Sequence, residues 1–167
     1  MNIIRIDTNN QVNGDGLRCV VWVSGCENYC PQCHNPETWD YKCGHPVDKG
    51  DWDIIVDQLK KPEISGITIS GGDPFAPKNR KDTSDMCKKI KKLFPYKTIW
   101  VYTGHVFEEI QDYVSDIDVL IDGKYDYTLN PGTGACRWRG STNQRIIDIP
   151  ETLKQNTIIE HKSFMDN

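Results

Sequence analysis

The sequence predicts an α/β fold: a curved, mostly parallel sheet with helices on the outside, closing only part of a barrel. Three observations carry that reading. Apolar, β-rich runs alternate with segments of helical periodicity, which is the pattern of βαβ units. Nearly every such run ends on glycine or a short polar side chain. The chain has 167 residues, too few for eight βα units at about 250.

Leu17 to Val23 (LRCVVWV) reads as a buried strand that leads straight into Ser24-Gly25 and a cysteine-rich loop. Asp53 to Lys61 reads as a helix with Ile54, Ile55, Gln58 and Leu59 near one face, stopped by Pro62. Gly66 to Ser70 (GITIS) is a short strand ending at Gly71-Gly72. Thr83 to Phe94 is a second helix, with Met86, Cys87, Ile90, Leu93 and Phe94 inward and its lysines outward. Thr98 to Tyr102 (TIWVY) is a strand that runs into Thr103-Gly104. Val106 to Val114 is helical, Asp118 to Ile121 is a strand ending at Asp122-Gly123, and Gln144 to Ile149 is a last strand. With no repeat and no low-complexity linker, residues 1–167 read as one domain. Its core covers about 15–149, and 150–167 is an extension whose role the sequence does not reveal.

The formal net charge of −4 gives no global footprint for nucleic acid, which needs concentrated positive charge. Lys88-Lys89-Ile90-Lys91-Lys92 fits the solvated face of a helix. Arg137-Trp138-Arg139 lies in a glycine-rich loop, as either a surface turn or a contact for substrate or partner. The first residues lack the basic start and apolar stretch of a signal peptide, and no apolar run approaches the ~18–20 residues of a membrane span. A reduced, cytoplasmic setting is the expectation, with no membrane and no nucleic acid as partner.

Cys26, Cys30 and Cys33 follow the spacing C-x3-C-x2-C, with no fourth cysteine completing the group nearby. Three thiolates can hold three irons of a [4Fe–4S] cluster, whose full protein ligand set is four. The remaining iron is then open to a small ligand, and an open position is how a metal centre does chemistry. Zinc stays as an alternative, with His34, Cys43 or His45 as the fourth ligand. A disulfide framework fits poorly with seven cysteines. Cys19 and Cys87, in a strand and in an amphipathic helix, read as packing residues.

Ligands of open α/β sheets bind outside the carboxyl ends of the strands. The cysteine loop, Gly71-Gly72-Asp73-Pro74, Thr103-Gly104-His105 and Asp122-Gly123-Lys124 each follow a predicted strand, so all four gather on one rim. Each alone is weak; together they outline a pocket beside the cysteines.

Cys26-x3-Cys30-x2-Cys33 after a strand, followed by Ser70-Gly71-Gly72-Asp73-Pro74, resembles the radical S-adenosylmethionine superfamily. Further phrases are similar to the anaerobic ribonucleoside-triphosphate reductase-activating proteins. They are Val12-Asn13-Gly14-Asp15-Gly16, Val23-Ser24-Gly25-Cys26, Cys33-His34-Asn35-Pro36-Glu37-Thr38-Trp39, Ile99-Trp100-Val101-Tyr102-Thr103-Gly104, Val119-Leu120-Ile121-Asp122-Gly123-Lys124-Tyr125 and Arg139-Gly140-Ser141-Thr142-Asn143-Gln144-Arg145. The resemblance implies a reduced, partial (βα) TIM-like barrel of the radical SAM type. It implies that Cys26, Cys30 and Cys33 ligate a [4Fe–4S] cluster and that S-adenosylmethionine binds the fourth iron. Gln32 and His34 would lie against the cofactor, and Gly71 and Gly72 would offer backbone groups to its methionine part. Asp73, Thr103, Asp122 and Lys124 match rim positions that contact it; Asp122 is also a candidate to hold a monovalent cation. A Gly72 side chain is then expected to weaken cofactor binding and spare the cluster. The implied activity is a glycyl-radical-generating activase: a flavodoxin-like donor reduces the cluster, S-adenosylmethionine is cleaved, and a glycine near the C-terminus of the large reductase subunit loses a hydrogen atom. A small-molecule enzyme with the same core, such as a deazapurine synthase, and a non-catalytic zinc module remain as alternatives.

Overall fold

The computed structural model describes residues 1–132 and 136–163, so the last four residues of the 150–167 extension lie outside the described residues. Among the described residues, seven strands form one sheet: β1 (Asn2–Asn10), β2 (Leu17–Val23), β3 (His45–Pro46), β4 (Ile64–Gly71), β5 (Thr98–Tyr102), β6 (Val119–Asp122) and β7 (Arg145–Asp148). Their order is β3-β1-β2-β4-β5-β6-β7. Pairing is parallel across β2, β4, β5 and β6, and antiparallel where β1 joins β2, β3 joins β1 and β7 joins β6. The expectation of a mostly parallel sheet is therefore corrected to a mixed one: a parallel centre with antiparallel strands at both margins.

The period-2 geometry of strands sorts the side chains cleanly. Cys19, Val21 and Val23 of β2, Ile67 and Ile69 of β4, Ile99 and Val101 of β5, and Leu120 of β6 share the main core. Helices α1 (Lys49–Leu59) and α2 (Arg80–Leu93) cover that face with Ile55, Leu59, Met86, Cys87 and Ile90. The intervening residues point to the opposite face, where Trp100, Val119 and Ile121 form a smaller cluster. Trp22, Ser70 and Tyr102, on that same face, line a cavity instead.

Several boundaries differ from the sequence reading, each for a local reason. α1 begins four residues before Asp53, because Asp48 and Asp51 form a reciprocal capping box. Ile54 is 44% exposed and Leu93 51% exposed, so the inward faces of α1 and α2 are narrower than expected. The helix expected over 106–114 is α3 (Phe107–Ile110) followed by a 3-10 turn at Gln111–Tyr113. β1 was not expected: its run of Asp, Thr and Asn has little apolar alternation, and only Ile3 is fully buried. α4 (Ile149–Gln155) carries Pro150 in its first turn behind an Asp148 cap, with Glu151 N donating to Asp148 Oδ1 at 3.0 Å. Among the described residues, no helix is long and apolar enough to cross a membrane.

Arg18 departs most from the reading of β2 as an apolar strand. It is fully buried. Its guanidinium donates to Thr68 Oγ1 at 2.7 Å, Ile67 O at 2.7 Å, Thr98 O and Oγ1 at 2.9 Å, and Asp15 O at 3.0 Å. Burial pulls its pKa down to about 10, so it remains charged at neutral pH, its desolvation offset by those five bonds.

Candidate metal and cofactor site

The loop after β2 is closed at its base by two ladder-like bonds: Gly25 N donates to Thr38 O at 2.8 Å and Cys26 N to Trp39 O at 3.0 Å. Within it, Tyr29 and Gln32 take positive φ values of 46° and 54°, which curl the chain around the three cysteines. Non-glycine residues rarely adopt that region and tend to do so at functional sites. Cys26, Cys30 and Cys33 all line a cavity of about 350 Å³, a volume suited to a small-molecule ligand.

Donors already surround the sulfurs. Asn28 Nδ2 lies 3.5 Å from Cys26 Sγ, and Asn35 N lies 3.4 Å from Cys33 Sγ. Burial pushes the Cys26 and Cys30 thiols up, while the Asn28 bonds to Cys26 and the Lys124 charge near Cys30 oppose it. Among the described residues, a second group of ligand-type side chains is His45, Asp48 and Asp51, whose donor atoms lie within 4.8 Å of one another; none of the three lines the cavity. Three thiols facing one cavity are the donor set of a [4Fe–4S] cluster that keeps one iron open, so the residues present fit that group. Trp39 lines the same cavity, and its buried indole N–H has no partner among the described residues, leaving a donor for a bound acceptor.

The four rim motifs do converge. Gly71, Gly72, Thr103, Gly104 and Gly123 line the cavity with His34, whose ring lies 4.8 Å from that of Tyr125. Gly72 is packed against the cysteine loop: a Cβ there would meet Gly25 O at 2.6 Å. A Gly72 side chain therefore strains the cluster loop itself, which corrects the expectation that it spares the cluster.

Asp73 does not line the cavity. It is 1% exposed, and its carboxylate accepts from Thr103 Oγ1 and Asn28 Nδ2 at 2.7 Å, Phe75 N at 2.9 Å and Gly104 N at 3.1 Å. It ties the cysteine loop, its own loop and the end of β5 together. Asp122 is likewise fully buried and bound to Arg145 and to Phe107 N, so its carboxylate is engaged away from the cavity. Gln32 and Lys124 are exposed at the loop surfaces and do not line the cavity.

Three site residues escaped the sequence reading. Asn28 links Cys26 to Asp73. Asn79 is buried and donates to Ser24 O at 2.8 Å and Asp73 O at 3.0 Å, bracing two loops from the start of α2. Gln144 lines the cavity; its Oε1 accepts from Gly140 N at 2.8 Å and its Nε2 donates to Gly123 O at 2.9 Å. All three are common polar residues, each with one partner far along the chain, so only Gln144, inside a recognised phrase, carried any signal.

The fold and the cysteine site define an iron–sulfur protein: residues 12–147 match the family model described as a 4Fe-4S single cluster domain. Curated relatives narrow this. A protein of Enterobacteria phage T4 is 39% identical over 148 residues, 87% of this chain and 93% of its own length. One from Escherichia coli K12 is 40% identical over 139 residues, 80% and 89% of the two chains. One from Vibrio cholerae is 39% identical over 142 residues, 81% and 90%. All three bear one name, and the chain belongs to their family, the anaerobic ribonucleoside-triphosphate reductase-activating proteins.

Proposed function

We propose that this chain is the activase of an anaerobic ribonucleoside-triphosphate reductase, working through a [4Fe–4S] cluster held by Cys26, Cys30 and Cys33 with S-adenosylmethionine on the open iron. The observation that carries the reading is the convergence of the three cysteines and the Gly71-Gly72, Thr103-Gly104 and Gly123 strand ends on one cavity. When bound and reduced, the pair supplies the reductive cleavage that generates a glycyl radical in the reductase.

The chain's own residues bind, orient and shield. Asn28 and the Asn35 amide supply hydrogen bonds to ligand sulfurs, a lever that tunes iron–sulfur centres. Gly71, at φ 107°, lets the backbone approach the cavity where a side chain would collide with Val23 O at 2.6 Å. His34, beside Tyr125, offers a ring face for a flat group. Thr103 lines the cavity with its hydroxyl fixed on Asp73. Asp73 and Asp122 are read as braces of the rim rather than direct contacts, while Gln32 lies within the cysteine loop and Lys124 places its charge near Cys30. Trp22, Trp39 and Tyr102 give the cavity apolar walls that exclude water.

We read the sheet as a reduced (βα) TIM-like barrel, with 1–167 as one domain, its core about 15–149 and 150–167 as an extension. A flavodoxin-like protein is the proposed electron donor, and the C-terminal glycine region of the large reductase subunit the proposed substrate. The test is anaerobic reconstitution of wild type and Cys30→Ala. About four irons and four sulfides per chain, lost in Cys30→Ala together with S-adenosylmethionine cleavage, is the expected result. One zinc and no sulfide contradicts it.

A further inference from the structure

Beyond α4, Asn156 takes a left-handed conformation and turns the chain back along β7. Asp148 N donates to Ile159 O at 2.9 Å, His161 N to Ile146 O at 2.8 Å, and Ile159 N to Thr152 Oγ1 at 2.9 Å. This lays residues 158–163 as a strap beside the edge of the sheet, outside the region that matches the family model. The strap ends on Asp15, which is 7% exposed: His161 Nε2 lies 3.0 Å from Asp15 Oδ2, and Ser163 Oγ donates to Oδ1 at 2.6 Å. The His161 ring also meets Trp100 edge-on, with centroids 5.1 Å apart.

Asp15 belongs to the loop joining β1 to β2, and that loop forms a wall of the cavity through Val12 and Asn13. Its backbone is held from below, where Arg18 donates to Asp15 O at 3.0 Å and Thr68 Oγ1 to Asn13 O at 2.7 Å. Among the described residues, both hydrogen bonds to the Asp15 carboxylate come from the strap. A buried carboxylate stripped of both donors is costly to keep in place, and the least costly response is movement of its loop toward water.

We propose that His161 and Ser163 are positioning residues, which hold loop 11–16 through Asp15 as a fixed wall of the S-adenosylmethionine cavity. This rests on the functional reading above for the identity of the ligand, but not for the loop's order. The alternative is that the strap only covers the β7 edge.

Amide hydrogen exchange on the full chain, without cluster or cofactor, separates the two. In His161→Ala, exchange in residues 11–16 should rise about tenfold while β2 and β4 stay protected. Ser163→Ala should show a smaller rise in the same segment, and serves if the first variant folds poorly. His161→Gln, whose amide can still donate to Asp15, should restore part of the protection. In the reconstituted protein, His161→Ala should keep its iron content and cluster absorption but bind S-adenosylmethionine about tenfold more weakly. Unchanged exchange in 11–16, faster exchange confined to β7, or a freed loop with unchanged affinity each overturns the proposal. If wild type binds no S-adenosylmethionine, the functional reading fails, while the exchange data still decide whether the strap fixes the loop.

Discussion

Asp73→Asn is nearly isosteric, so it leaves no cavity and isolates the carboxylate's role. The carboxylate takes two donors on each oxygen: Phe75 N and Thr103 Oγ1 on Oδ1, Asn28 Nδ2 and Gly104 N on Oδ2. An amide keeps one acceptor oxygen and turns its NH2 against the other pair of donors. Two charge-assisted bonds are lost, each worth about 1.5–3 kcal/mol, so about 3 kcal/mol is a conservative loss. For a chain of this size, about 2–4 °C per kcal/mol converts that to a fall of about 6–12 °C in Tm. The assay is thermal unfolding of cluster-free wild type and variant under reducing conditions, followed by circular dichroism. A Tm within about 2 °C of wild type would refute the assignment of Asp73 as the brace of three loops.

Asn79→Ala removes the buried side-chain donor to Ser24 O and Asp73 O, the latter keeping its bond from Ala76 N, so it should cost about 2 kcal/mol in denaturant unfolding and lower iron loading on reconstitution. Cys19, pushed up to about 12 by burial, and Cys87, pushed up further by the same cause, are fully buried. Mass spectrometry after iodoacetamide treatment of the native protein at pH 8 should find both unlabelled, whereas the denatured chain labels at all seven cysteines. The Arg145 hydrogen bond holds the Glu108 pKa below its usual value. Because that carboxylate is largely exposed, the wild-type advantage over Glu108→Gln should be only about 0.5 kcal/mol. It should be complete above the ordinary glutamate pKa and disappear as pH falls through the depressed folded value, as urea titrations between pH 3 and 7 can read.

The central strands were legible because β2, β4 and β5 are apolar runs closed by glycine or a small polar residue. The cysteine loop and the glycines of its rim were legible from spacing and from their places after those strands. β1 was hidden because a margin strand needs little apolar alternation, and Asp7, which accepts the Trp22 indole N–H at 2.7 Å, reads as a loop residue. The placement of Asp73 and Asp122 shows where motif matching stops. Both sit at expected positions on the rim, but each carboxylate turns into protein donors supplied by segments far along the chain: the end of β5 for Asp73, α3 and β7 for Asp122. Arg18 illustrates the same limit: its five acceptors come from β4, β5 and the loop before β2, which no local pattern records.

The most direct measurement is an EPR spectrum of the reconstituted, reduced chain mixed anaerobically with S-adenosylmethionine and the large subunit of its own anaerobic ribonucleotide reductase. A glycyl-radical doublet that is absent with Cys30→Ala is the predicted result. A cluster-loaded, reduced protein that cleaves S-adenosylmethionine yet leaves the reductase without a doublet would contradict the assignment of this chain as its activase.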